Sequence, residues 1–147
     1  WMLDILGDPD VTGAVIVAAP EEMPVNETIE LAGRIAKETV VDLAAVIVNR
    51  VLPELFGRSE EELFDKLRTD RHRARLAEAA GGDPSVVLDA AELAVTLRRT
   101  RAGHLDKLRD SLDPSLPQLY VPYLFQRSHG VRATHEVARF LSEELGY

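Results

Sequence analysis

Apolar residues gather along this chain in two short unbroken runs, and between the runs they recur every three or four positions. Ala14-Val15-Ile16-Val17-Ala18-Ala19 and Ala44-Ala45-Val46-Ile47-Val48 are continuous and rich in β-branched side chains. Such runs mark strands buried on both faces, the habit of a parallel sheet, and predict strands over about 14 to 19 and about 44 to 49. Between them Ile29, Leu31, Ala32, Ile35 and Ala36 keep helical spacing. Pro24 fits the first turn of that helix, where its missing N–H costs nothing. Glu21, Glu22 and Glu27 cluster near the helix start, where the helix dipole favours acid. Strand, helix and strand make a parallel βαβ unit, which is right-handed in nearly all cases.

Ahead of the first run, Met2 to Leu6 reads as the end of a helix closed by Gly7 and the Asp8-Pro9-Asp10 turn. After the second run the pattern turns helical from about 59 to 112. Ser59 with Glu62 predicts a capping box. Gly81-Gly82 breaks the stretch, and Asp83-Pro84 starts a long helix. Val87, Ala91, Ala94 and Leu97 are expected on its inward side, with Gly103 as a weak point and Leu105, Leu108 and Leu112 continuing the stripe. The stripe reads either as a helical hairpin packed on the sheet or as a partner-binding surface. Asp113-Pro114 ends the helices. Leu119-Tyr120-Val121 is a third strand stopped by Pro122, Tyr123 to Gly130 is a loop, and Val131 to Leu145 is a last amphipathic helix with Val137, Ala138, Phe140 and Leu141 inward. The fold class expected is α/β: a parallel sheet with flanking helices and a helical insertion at about 54–113.

Composition narrows the function classes. A net charge of −8 over 147 residues argues against nucleic-acid binding, which relies on a positive field. No run approaches the roughly 20 apolar residues that span a bilayer, so an integral membrane protein is not expected. Zero cysteines exclude disulfides, thiolate zinc sites and a cysteine nucleophile within these residues, and a cytoplasmic location fits. Trp1 precedes Met2, and the expectation from that opening is a piece of a longer protein.

The chemistry-bearing residues are few. The chain holds no Gly-x-x-x-x-Gly-Lys-Ser/Thr loop, no Gly-x-Gly-x-x-Gly and no His-Glu-x-x-His. His72, His104, His129 and His135 are scattered among polar neighbours, so no metal site is expected, and no serine has a nucleophile-elbow setting. No catalytic residue is assigned. Asn49 differs because it stands at the C-terminal end of the second strand, where open α/β sheets bind ligands. Its side chain pairs an acceptor with a donor, matching the amine and ring nitrogen of adenine; the other reading is an asparagine that turns the chain. The loop after Pro122 follows a strand end too and reads either as a crevice wall or as a plain connection. Glu21 and Glu22 read as ribose or interface contacts, or as a solvated helix start. Arg71-His72-Arg73-Ala74-Arg75 and Arg98-Arg99-Thr100-Arg101 read as solvated helix faces or as contacts for phosphate or an acidic partner.

Three of these stretches resemble one family. Ala19-Pro20-Glu21-Glu22-Met23-Pro24-Val25-Asn26-Glu27-Thr28, Val46-Ile47-Val48-Asn49-Arg50-Val51-Leu52-Pro53 and the Pro122 to Gly130 loop are similar in order and spacing to the C-terminal portion of the anion-transporting ATPases. These include the arsenite-pump ATPase and the targeting ATPase of tail-anchored membrane proteins. The resemblance implies a P-loop NTPase-like fold with a deviant Walker motif, working as a nucleotide-gated dimer. Its phosphate loop and switches would lie upstream, leaving residues 1–147 as the C-terminal part of the ATPase domain. It implies ATP or ADP with Mg2+ in the complete protein, and no firm cofactor on this chain alone. Asn49 would bond adenine, Pro122, Tyr123 and Leu124 would wall the base, and Glu21 would lie near the nucleotide or the dimer interface. A homodimer or related subunit is implied, and a protein or membrane-protein client is left open. The absence of cysteine means that neither a zinc-bridged dimer nor arsenite binding is carried over.

Two functions follow as expectations. The first is the base-binding half of a dimeric ATPase, inactive alone because charge-assisted phosphate contacts worth about 1.5–3 kcal/mol each would be missing. The second is a non-catalytic interaction module that keeps the fold and works through its helical insertion.

Overall fold

The structure, a computed structural model, describes residues 1–54, 57–125 and 130–146. Its elements run α1 (Met2–Leu6), β1 (Gly13–Ala18), α2 (Glu22–Glu38), β2 (Asp42–Val51), α3 (Arg58–Leu67), α4 (Asp70–Ala80), α5 (Ser85–Ser111), β3 (Gln118–Pro122) and α6 (Val131–Glu144). The strands form one sheet in the order β1-β2-β3, and both pairings are parallel. The chain is therefore α/β, as its uninterrupted apolar runs predict. Residues 1–52 and 101–147 form one compact unit, and residues 53–100 form another.

The first unit is built around one face of the sheet. Ile16 of β1, Val46 and Val48 of β2, Val25 and Ala32 of α2, and Leu108 and Leu112 of α5 form its buried cluster. Paired positions of a parallel sheet share a face, so Ile16 beside Val46 and Ala18 beside Val48 turn together toward α2. On α2 the inward residues are Val25, Thr28 and Ala32, whereas Leu31 and Ala36 are exposed. The expected Ala32, Ile29 and Ile35 do face the core, while Leu31 and Ala36 do not, and the stripe starts earlier than expected because of where the helix begins. Glu21 is its N-cap and Pro24 lies in the first turn, which starts the inward stripe at Val25. Polar clasps hold α5 along α2: Arg101 Nη2 donates to Glu21 Oε1 at 3.1 Å and Lys107 Nζ to Asn26 Oδ1 at 2.6 Å. Gly103 neither breaks nor ends α5, which runs on to Ser111.

Two irregularities shape the ladder. Between Ala14 and Val15 the β1–β2 register slips, so that Gly13 pairs with Asp42 but Val15 with Ala45. Gly13 is required beside the slip, since a Cβ there would stand 2.7 Å from the Ala44 Cβ. The second slip, between Val48 and Val51 of β2, falls at the candidate site. Beyond β3, helix α6 turns Ala133, Val137, Phe140 and Leu141 partly inward, while the expected Ala138 is exposed. Glu144 Oε2 of α6 accepts the Tyr120 N–H of β3 at 3.2 Å, which satisfies one donor on the edge of that strand.

The second unit is helical. Phe64, Leu88 and Val95 are its buried apolar residues. The inward stripe on α5 is thus Leu88 and Val95, not the expected Val87 and Leu97, which are 71% and 42% exposed. Leu88 and Val95 stand one heptad apart, and arginines of this unit pair with acids across its helices. Arg98 and Arg99 both reach Glu61, the latter at 2.7 Å, and Arg68 meets Glu92 at 2.6 Å. Arg73 lies 4.0 Å from Asp89. The Arg98-Arg99-Thr100-Arg101 island is therefore ion-paired within the chain, whereas in the 71–75 island only Arg73 meets a carboxylate among the described residues. The capping box also shifts: Gly57 is the N-cap of α3, and its N–H donates to Glu60 Oε2 at 2.9 Å. Ser59 already lies inside the helix, so Ser59 and Glu62 do not form the box.

Candidate functional site

The C-terminal ends of the strands bring the singled-out residues to one edge of the sheet. In β2, Val48 pairs with Tyr120 of β3, and the next recorded pair is Val51 with Pro122. Asn49 and Arg50 thus face Val121 alone, two residues against one, which is the count of a β-bulge. In an unbroken strand Val48 and Val51 would point to opposite faces. The extra residue reverses that parity, and Val51 packs against the same buried cluster as Val48. The chain absorbs the residue by placing Arg50 at φ 63°. A left-handed conformation costs a non-glycine residue about 1–2 kcal/mol, so the surrounding packing of Val48, Val51 and Val121 must hold it there.

The bulge releases Asn49 from the regular alternation. Its side chain is exposed and takes no hydrogen-bond partner among the described residues, so it caps or turns nothing in them. Asn49 lies within β2, two residues before its end, because the strand runs on to Val51 past the expected limit of about 49. Pro122 is the last residue of β3 rather than its stop, and Tyr123 and Leu124 follow, all half-buried. The Tyr123 N–H donates to the Val51 carbonyl at 2.8 Å, which ties the two strand ends together past the bulge. The rest of the expected loop, residues 126–129, lies outside the described residues. Asn49, Pro122 and Tyr123 are therefore brought to adjacent strand ends. Glu21 lies three residues past the end of β1, as the N-cap of α2, with its carboxylate engaged by Arg101.

Two residues at this edge were not among the candidates. The Arg50 guanidinium carbon lies 5.3 Å from the centre of the Tyr123 ring, and the Phe125 ring sits 4.9 Å from Tyr123, tilted by 58°. Phe125 is 68% exposed. A signal for Arg50 existed: apolar Val48 and Val51 with two polar residues between them break the period of a strand. The edge offers an unpartnered amide, a guanidinium and aromatic faces, which suit a flat, hydrogen-bonding ligand such as a base.

Shifted ionisations lie elsewhere. Burial pushes the Tyr120 phenol up, with Arg109 opposing. Hydrogen bonds from Ser85 and Ser115 hold Asp83 and Asp113 below the usual carboxylate range. The Glu61 carboxylate raises Arg99 further. Among the described residues no group of three or more His, Cys, Asp or Glu could hold a metal ion. No described helix is long and apolar enough to cross a membrane. A hollow of about 840 Å³ opens at the other end of the sheet, walled by Thr39, Asp42, Leu43, Leu112 and Pro117 among others. It is broad, and the strand-end amide is remote from it. The bulged edge remains the candidate because parallel sheets bind ligands at the carboxyl ends of their strands.

No curated protein matches the chain. Residues 2–77, which hold β1, α2 and β2 with Asn49 and Arg50, match the family described as anion-transporting ATPase. That match spans more than half of the 147 residues, and the chain belongs to the anion-transporting ATPase family.

Proposed function

We propose that this chain is the base-binding C-terminal part of an ATPase domain, with a helical insertion at about 54–113, and that Asn49 reads adenine at the end of β2. The observation that carries the reading is the bulge, which frees the Asn49 amide beside Pro122 and Tyr123. Asn49 donates from its amide to a ring nitrogen and accepts from the exocyclic amine. Pro122, Tyr123 and Leu124 wall the base with main chain and apolar surface. Glu21, tethered by Arg101, sits nearer the ribose or a subunit interface than the base. The phosphates, Mg2+ and the coupling of hydrolysis to a dimer rearrangement fall to residues outside this chain.

The test is a titration of the 15N-labelled chain with adenosine, which needs no phosphate grip. Adenosine should bind in the millimolar range, on the order of −4 kcal/mol, and should shift the Asn49 side-chain amide. Asn49→Ala should bind about tenfold more weakly, since two neutral hydrogen bonds contribute about 0.5–1.5 kcal/mol each. Shifts that ignore Asn49 and survive its replacement would overturn the reading.

A second reading rests on the helical unit. Leu63, Val86, Val87 and Leu93 there are each more than half exposed, an apolar surface of the kind that meets partners. An interaction module would keep its partner when Asn49 is replaced and lose it when Val87 and Leu93 become polar.

A further inference from the structure

Arg50 sits where the backbone asks for glycine. Among the described residues it alone outside glycine has a positive φ, a region that glycine enters freely and side-chain-bearing residues rarely do. Strain of this kind persists where the surroundings fix it, and it gathers at functional sites. The side chain placed there is a long cation with no ion pair to a described carboxylate, unlike Arg98, Arg99 and Arg101. Its contact is the Tyr123 ring, 5.3 Å from the guanidinium carbon.

The bulge interrupts the ladder between β2 and β3 at the point where Asn49 and Pro122–Leu124 must face one ligand. After it the strand ends are joined by the Val51–Pro122 pairing and the 2.8 Å bond from Tyr123 N–H to the Val51 carbonyl. The cation over the ring adds a side-chain tie across the same gap. Tyr123 is in turn stacked at an angle on Phe125, so a guanidinium that fixes the Tyr123 ring also fixes the chain on both sides of it.

We propose that Arg50 is a positioning residue of the base site: carried out of the strand by its left-handed turn, its guanidinium clasps Tyr123 and sets the Pro122–Leu124 main chain at the spacing from Asn49 that a flat base fills. The inference rests on the base-binding reading of Asn49 and adds a residue that touches the wall rather than the ligand. Glycine would make the turn with less strain but would leave the wall loose, and lysine would keep the charge without the planar stack.

The experiment uses the 15N-labelled chain, adenosine as the probe, and the variants Arg50→Gly, Arg50→Lys and Asn49→Ala. Arg50→Gly should melt no lower than the parent, because glycine accepts the positive φ. It should nonetheless bind adenosine about three- to fivefold more weakly, the worth of an exposed cation–π contact. In the parent the Arg50 Nε–H resonance should be shifted upfield by the Tyr123 ring, and Arg50→Lys should recover part of the affinity. Parent-like affinity in Arg50→Gly with weakened binding in Asn49→Ala would overturn the role of Arg50 and leave the base site standing. Parent-like affinity in Asn49→Ala would overturn both. Weaker binding in Arg50→Gly that comes with a lower melting temperature and is not rescued by lysine would make Arg50 structural and overturn the proposal.

Discussion

Leu108→Ala is expected to lower the free energy of unfolding by about 3 kcal/mol, within the roughly 2–5 kcal/mol span of buried leucine truncations. Leu108 is fully buried, the largest such side chain among the described residues, and it packs in one cluster with Val25, Val46 and Val48. It therefore joins α2, β2 and the end of α5 at a single point. Truncation removes apolar contacts from three elements at once, and a strand and two helices cannot all close on the hole. In a chain of this size each kcal/mol moves the melting midpoint by about 2–4 °C, so the loss should read as about 6–12 °C by calorimetry. Leu108→Met conserves volume and should cost less than about 1.5 kcal/mol, which separates shape from mere apolarity. Val87→Ala, at a position 71% exposed on the same helix, should stay within about 0.5 kcal/mol of the parent. A Leu108→Ala protein as stable as its parent would mean that the end of α5 does not share the sheet's core.

That contrast between Leu108 and Val87 also marks what a sequence yields. Leu105, Leu108 and Leu112 were expected inward, and Leu108 and Leu112 are buried. On the first half of the same helix the stripe was misplaced by one residue, because alanines at 90, 91 and 94 fit either phase of the helical period. What decides the phase is tertiary: Arg98 and Arg99 turn to Glu61, and no local pattern announces a pairing 38 positions apart. The strands were legible as apolar runs, but burial on both faces does not follow: β1 buries Ile16 and Ala18 and leaves Val15 and Val17 50% and 61% exposed. The register of the strands was not legible, since both slips depend on the neighbouring strand. Asn49 could be singled out from its residue type after an apolar run. The broken period between Val48 and Val51 flags Arg50, but its importance lies in a backbone angle that only the pairing of Val51 with Pro122 imposes.

The chemistry at Asn49 makes a base-specificity experiment with a large expected effect. Asparagine presents one acceptor and one donor, which match the amine and the adjacent ring nitrogen of adenine. Aspartate, nearly the same in shape, presents two acceptors when ionised. Against adenine one of those oxygens would meet a ring-nitrogen lone pair, which replaces a hydrogen bond by repulsion. Against guanine both oxygens meet donors, the ring N–H and the exocyclic amine. A well-formed bidentate pair is worth about 1–3 kcal/mol of discrimination. Asn49→Asp should thus weaken adenosine and strengthen guanosine, reversing their order by about ten- to a hundredfold in ratio. The side chain is exposed and without a described partner, so the exchange should leave the melting temperature nearly unchanged, and a specificity change would then be local chemistry rather than unfolding. Competition between the two nucleosides, followed at the Tyr123 amide, measures the ratio directly. If Asn49→Asp left adenosine preferred, the base would be read by groups other than Asn49. If neither nucleoside touched Tyr123, the bulged edge of the sheet would serve some ligand other than a base.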